Sequence, residues 1–114
     1  MKVAIIGSRG LHVKDFSCFL PADTTQIISG GARGIDTCAK EYAASHGIDY
    51  IEFLPDYKRY GKGATLRRNQ QMIEAADLVI AFWDGASHGT KYTIDLCKQK
   101  DIPVQIHILP SSAE

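Results

Sequence analysis

The sequence predicts a doubly wound α/β domain built on a parallel sheet of five strands in the order 3-2-1-4-5, with helices on both faces. Three observations lead there: five short β-branched apolar runs, helix-length segments between them, and a difference in how evenly apolar those runs are. With 114 residues the chain can close one hydrophobic core, so 1–109 is read as a single domain and 110–114 as a flexible tail.

The first strand spans 3–6 and leads directly into Gly7. A short helix is expected over 13–20, followed by a strand at 26–29. The segment 35–46 places Ile35, Ala39, Tyr42, Ala43 and His46 on one face at helical spacing, and Gly47 supplies a stop signal. A third strand covers 49–54. A helix over 64–75 then turns Leu66, Ile73 and Ala76 inward. The fourth strand, 78–83, is followed by a helix over 90–99 with Leu96 and Cys97 inward, and the last strand occupies 104–109.

A strand covered on both faces reads as continuously apolar, whereas an edge strand alternates. Val3-Ala4-Ile5-Ile6 and Leu78-Val79-Ile80-Ala81-Phe82 are solid, while Ile51 and Phe53 alternate with Tyr50 and Glu52, and Val104, Ile106 and Ile108 with Gln105 and His107. The first and fourth strands therefore lie inside the sheet. The crossover direction reverses between them, and a crevice is expected at their carboxyl ends, flanked by Gly7-Ser8-Arg9 and Asp84-Gly85.

Composition limits the function classes. The apolar share of 45% and charged share of 23% are those of an ordinary soluble domain. Thirteen basic residues balance thirteen acidic ones, so there is no global field to hold nucleic acid or an anionic membrane, and any anion binding must be local. Cys18, Cys38 and Cys97 fit neither a disulfide framework nor a zinc site and read as buried thiols in a reducing compartment. Residues 3–6 are too short for a signal or a membrane span, and a cytoplasmic location is expected. No metal or cofactor is expected.

The loops carry the candidate chemistry. Gly7-Ser8-Arg9-Gly10 can bring backbone amides, a hydroxyl and a guanidinium to a phosphate, although a plain tight turn explains it equally well. Ser29-Gly30-Gly31-Ala32-Arg33-Gly34-Ile35-Asp36 concentrates glycines between a strand and a helix, where free amides and the helix dipole favour an anion. Asp36 serves there either as a capping group or as an acceptor for ribose hydroxyls. Tyr57-Lys58-Arg59-Tyr60-Gly61-Lys62-Gly63 with Arg67-Arg68-Asn69 gathers five cations, a solvated face unless Arg68 and Asn69 point into the crevice. Trp83-Asp84-Gly85-Ala86-Ser87-His88-Gly89-Thr90 adds a second glycine-bearing loop and a second helix start. His88 lacks a partner carboxylate and Trp83 reads as core, so no catalytic residue is assigned.

Lys2-Val3-Ala4-Ile5-Ile6-Gly7-Ser8-Arg9, the segment Ser29 to Asp36, Arg68-Asn69-Gln70-Gln71-Met72 and the segment Ala81 to Thr90 together resemble the SLOG superfamily, in particular its small YspA-like domains. The same superfamily holds the DNA-processing DprA proteins and the LOG phosphoribohydrolases. The resemblance implies a Rossmann-like fold with a pocket for a nucleotide-derived ligand at Gly7, Ser8, Arg9, Gly30, Gly31, Arg68, Asn69, Gly85, Ser87, Gly89 and Thr90. Ala32, Gly34, Asp36 and Asp84 join them from the reading of the loops. The LOG pattern PGGxGTxxE carries a glutamate for N-glycosidic cleavage, and Thr93 stands in its place here.

Three functions follow. The first is binding or sensing of a nucleotide-derived small molecule, with phosphate on the Gly30-Gly31 and Gly89-Thr90 loops, Arg9 and Arg68 as charge partners, and Asp84 or Asn69 on the sugar. The second is cleavage or transfer of an N-ribosyl bond with a relocated acid. Single-strand DNA binding comes last, because only 58–68 concentrates cations. A homodimer or higher homo-oligomer is expected from the superfamily alone.

Overall fold

The computed structural model describes residues 1–110; of the expected tail, 111–114 lie outside the described residues. Strands β1 (Lys2–Gly7), β2 (Gln26–Ser29), β3 (Asp49–Glu52), β4 (Leu78–Trp83) and β5 (Val104–Ile108) form one sheet in the order β3-β2-β1-β4-β5. Every neighbouring pair is parallel. Helices are α1 (Ile35–Ser45), the short α2 (Tyr57–Tyr60), α3 (Ala64–Ala75) and α4 (His88–Gln99), with a 3-10 turn at Gly61–Gly63.

Side chains on a strand alternate between faces, and the two cores divide accordingly. Val3, Ile5, Ile27, Leu78, Ile80 and Phe82 face α1, meeting Ile35, Ala39, Tyr42 and Ala43. Ala4, Ile6, Ile28, Val79 and Ala81 face the other way, onto Met72 and Ile73 of α3 and Ile94 and Cys97 of α4. Burial pushes the Cys97 thiol up to about 11, so it packs as a small hydrophobe. Cys38 is half-buried and Cys18 is exposed, against the expectation that all three thiols are buried.

The expected helix over 13–20 does not form; turns and bends run from β1 to β2 instead. Asp15 accepts from the Ser17 amide at 2.9 Å, a local bond that competes with helix, and Pro21 follows. Leu11 and Phe16 nonetheless bury fully, and the Phe16 ring meets Tyr42 and Phe82 edge-to-face at 5.5 Å each. Two inward assignments also change. His46 is exposed and stacks on Tyr42, and Leu66 faces solvent because α3 turns Arg68 and Met72 inward instead. Among the described residues, no helix is long and apolar enough to cross a membrane.

Candidate functional site

β1 and β4 pair from Val3↔Leu78 to Gly7↔Phe82, and their helices leave toward opposite faces of the sheet. At their carboxyl ends lies a cleft of about 440 Å³. Gly7, Ser8 and Arg9 line it from the loop after β1, Ala32 and Asp36 from the start of α1, and Arg68 and Asn69 from α3. Asp84, Ser87, Gly89 and Thr90 complete it from the loop after β4 and the first turn of α4.

Gly30, Gly31, Gly34 and Gly85 do not line the cleft; they shape what does. A Cβ on Gly30 would sit 2.6 Å from Arg68 Nη1, so only glycine lets the guanidinium lie against that backbone. Gly34 has φ of 74° and abuts the Arg9 backbone, which brings the start of α1 against the loop after β1. Gly31 faces Glu52, and Gly85 lies exposed in the turn after Asp84.

Arg68 is only 6% exposed, and its hydrogen bonds explain how a buried cation is tolerated. Nη1 donates to the carbonyls of Gly30 and Phe53, and Nε donates to Asn69 Oδ1 at 2.8 Å. Asn69 Nδ2 passes the chain on to Thr93 Oγ1 at 3.1 Å, and Thr93 Oγ1 donates to the Gly89 carbonyl at 3.0 Å. A continuous polar brace thus links the end of β2 to the first turn of α4. Thr93, which the resemblance sets where the LOG proteins carry their glutamate, is fully buried and belongs to that brace.

Two carboxylates line the same cleft in environments that shift them in opposite directions. Asp36 is 8% exposed, and burial raises its pKa above the ordinary aspartate value against the opposing pull of the Ala32 amide and the Arg68 charge. Ala32 N donates to Asp36 Oδ2 at 3.0 Å, so the glycine-rich turn folds back on its own carboxylate. Asp84 Oδ1 accepts from Ala86 N at 2.9 Å and Ser87 N at 2.8 Å, and these amides hold its pKa below the ordinary value.

The two helix starts differ for the same reason. α1 carries Asp36 in its first turn, whereas α4 has no acidic residue there, and no side chain caps it among the described residues. Lys91 N makes the first helical bond, to the Ser87 carbonyl at 3.2 Å. The Gly89 and Thr90 amides therefore precede the helix's own ladder and carry the positive end of its dipole. Ser8 fixes the adjacent loop: its amide donates to Phe82 O at 3.1 Å, and its Oγ accepts from Asp84 N at 3.3 Å. Arg9 is exposed at the rim, close enough for its charge to depress the Arg68 pKa, behind the larger effect of burial.

Ile6, Gly10, Thr65, Met72 and Thr93 also line the cleft. Of these, Thr65 and Met72 were legible: with Arg68 and Asn69 they occupy positions 65, 68, 69 and 72, one face of a helix. No group of three or more His, Cys, Asp or Glu among the described residues could hold a metal ion.

Fold and cleft together define a doubly wound α/β domain with its cleft at the topological switch point. The sequence profile of the YspA, cpYpsA-related SLOG family matches residues 21–60. The gene 61 protein of Mycobacterium phage D29 is 33% identical over 84 residues, covering 68% of this chain and 67% of the phage protein. The chain belongs to the YspA, cpYpsA-related SLOG family, which points to a nucleotide-related function in general. No solved structure matches it.

Proposed function

We propose that the chain binds a nucleotide or nucleotide-derived small molecule in this cleft, with a phosphate on the first turn of α4 and the sugar toward Asp36. The observation that carries the reading is the pairing of an uncapped helix start with two guanidinium side chains, Arg9 and Arg68, lining one switch-point cleft. An anion there meets free amides and positive charge together. The cleft volume of about 440 Å³ lies within the range of about 300–1,000 Å³ common for small-molecule sites. Because Ala32 already donates to Asp36, the phosphate goes to Gly89, Thr90 and Ser8 rather than to Gly30 and Gly31.

Thermal melting with AMP, ADP-ribose and NAD tests this. A ligand at one hundred times its Kd stabilises by about 2.7 kcal/mol, a rise in Tm of roughly 10 °C or more for a domain of this size. Failure of every nucleotide to shift the midpoint overturns the reading.

A second reading, N-ribosyl hydrolysis, is favoured by the two carboxylates. Asp36, with its raised pKa, is the candidate proton donor to the leaving base, and Asp84, held anionic, is the candidate stabiliser of the sugar cation. Free base released from AMP, and lost in Asp36→Asn, is the result that would select it over simple binding.

A further inference from the structure

Beyond Phe53, between β3 and α3, runs a segment the core does not require. Neither α2 nor the turn Gly61–Gly63 buries a single residue. The segment nonetheless brings Lys58, Arg59 and Lys62, with Arg67 and Arg68 just beyond on α3, so residues 57–73 hold five cations and no carboxylate. Of the exposed cations elsewhere, Lys91 pairs with Asp95 at 2.8 Å and Lys100 with Glu74 at 3.0 Å, while Lys2, Lys14, Arg33 and Lys98 stand apart from one another along the sequence. Among the described residues, Lys58, Arg59, Lys62 and Arg67 stand in no ion pair.

These charges are gathered rather than scattered. The guanidiniums of Arg59 and Arg67 both lie over the Tyr60 ring, 5.3 Å and 5.6 Å from its centroid, so one aromatic ring gathers two like charges. The segment also adjoins the cleft, because the Tyr57 hydroxyl lies 3.5 Å from Thr65 Oγ1 and Thr65 lines the cleft wall. Four cations clustered beside an anion cleft leave room for more negative charge than one phosphate supplies.

We propose that the strip Lys58, Arg59, Lys62 and Arg67 is a second anion subsite continuous with the cleft, and that the ligand is a nucleotide carrying further phosphate beyond the one on α4. The inference rests on the nucleotide reading above and names the class of nucleotide. A phosphate chain needs clustered cations, which the strip has. A nucleic-acid strand needs free aromatic faces for successive bases, and the strip offers one at most, since Tyr60 is engaged by guanidiniums and only Tyr57, 61% exposed, stands clear.

The test is calorimetric titration of AMP and ATP, at one ionic strength and without divalent metal, into the wild type and the K58A/R59A/K62A variant. None of the three positions is buried, so the variant should melt with the wild type. ATP should bind the wild type at least about tenfold more tightly than AMP, as expected for one or more added charge-assisted bonds. The variant should lose that advantage and keep its AMP affinity. Equal affinities for AMP and ATP, or an ATP advantage that survives in the variant, would overturn the second subsite while leaving the cleft reading intact. Binding of neither AMP nor ATP removes the second subsite, and failure of ADP-ribose and NAD as well removes the cleft reading. A single-stranded oligonucleotide of about ten nucleotides that outcompetes ATP, and weakens in the variant, would replace the proposed ligand class with a strand.

Discussion

Burying a guanidinium is tolerable only when its N–H groups find acceptors, and Arg68 finds them on three other residues: Gly30, Phe53 and Asn69. Removing it orphans those acceptors inside the fold, so Arg68→Ala should lower the free energy of unfolding by about 1–3 kcal/mol, read from urea titrations. Arg68→Lys should recover only part, because an ammonium lacks the planar fork that reaches two carbonyls and an amide at once. Gly30→Ala should resemble Arg68→Ala, since the new methyl would fall 2.6 Å from Nη1 and push the guanidinium off its carbonyl. A full wild-type midpoint in Gly30→Ala would show that the close approach is not essential. From sequence, Arg68 reads as a ligand partner; its second role as a brace depends on β2, β3 and α4 converging on it, which no local pattern encodes.

At the scale of elements, two glycines on one cleft wall answer to different constraints. A Cβ on Gly7 would meet Ile35 Cγ1 at 2.5 Å, where β1 and the start of α1 touch; a Cβ on Gly89, in the first turn of α4, would meet nothing within 4 Å. Gly7→Ala should therefore destabilise by the roughly 1–3 kcal/mol typical of overpacking. Gly89→Ala should stabilise α4 by up to about 1 kcal/mol while placing a methyl beside the amides proposed to hold phosphate, so that Tm rises and nucleotide affinity falls. Affinity unchanged in Gly89→Ala would move the phosphate elsewhere. The elements themselves were largely legible. Strand order follows from Val3-Ala4-Ile5-Ile6 and Leu78-Val79-Ile80-Ala81-Phe82 being apolar on both faces, since only interior strands bury both. The stretch 13–20 misleads because Val13, Phe16 and Leu20 occur at near-helical spacing, yet Phe16 is drawn into the core by Tyr42 and Phe82, contacts distant in sequence. The Gly30-Gly31 turn misleads differently: glycines that could free amides for an anion also let the chain close on Asp36, and sequence does not distinguish the two.

For the molecule as a whole, the balance of 13 acidic and 13 basic residues means that stability near neutral pH depends on local charge environments more than on net repulsion. The cleft carboxylates then act with opposite sign. Asp84 has a folded pKa below its ordinary value, so its contribution is present above that value and lost as pH falls through the folded pKa. Asp36 has a folded pKa above its ordinary value, so its contribution is present at low pH and lost as pH rises through the folded pKa. Asparagine does not titrate, which makes Asp84→Asn and Asp36→Asn matched references. Between about pH 3 and pH 7, spanning the usual aspartate range, the wild type should gain stability relative to Asp84→Asn and lose it relative to Asp36→Asn. Urea midpoints across that range give both slopes, and the acid repulsion common to all three proteins cancels in the differences. Slopes of the same sign would mean that the two carboxylates share one environment, which would remove the electrostatic asymmetry on which the division of roles between Asp36 and Asp84 in N-ribosyl hydrolysis depends.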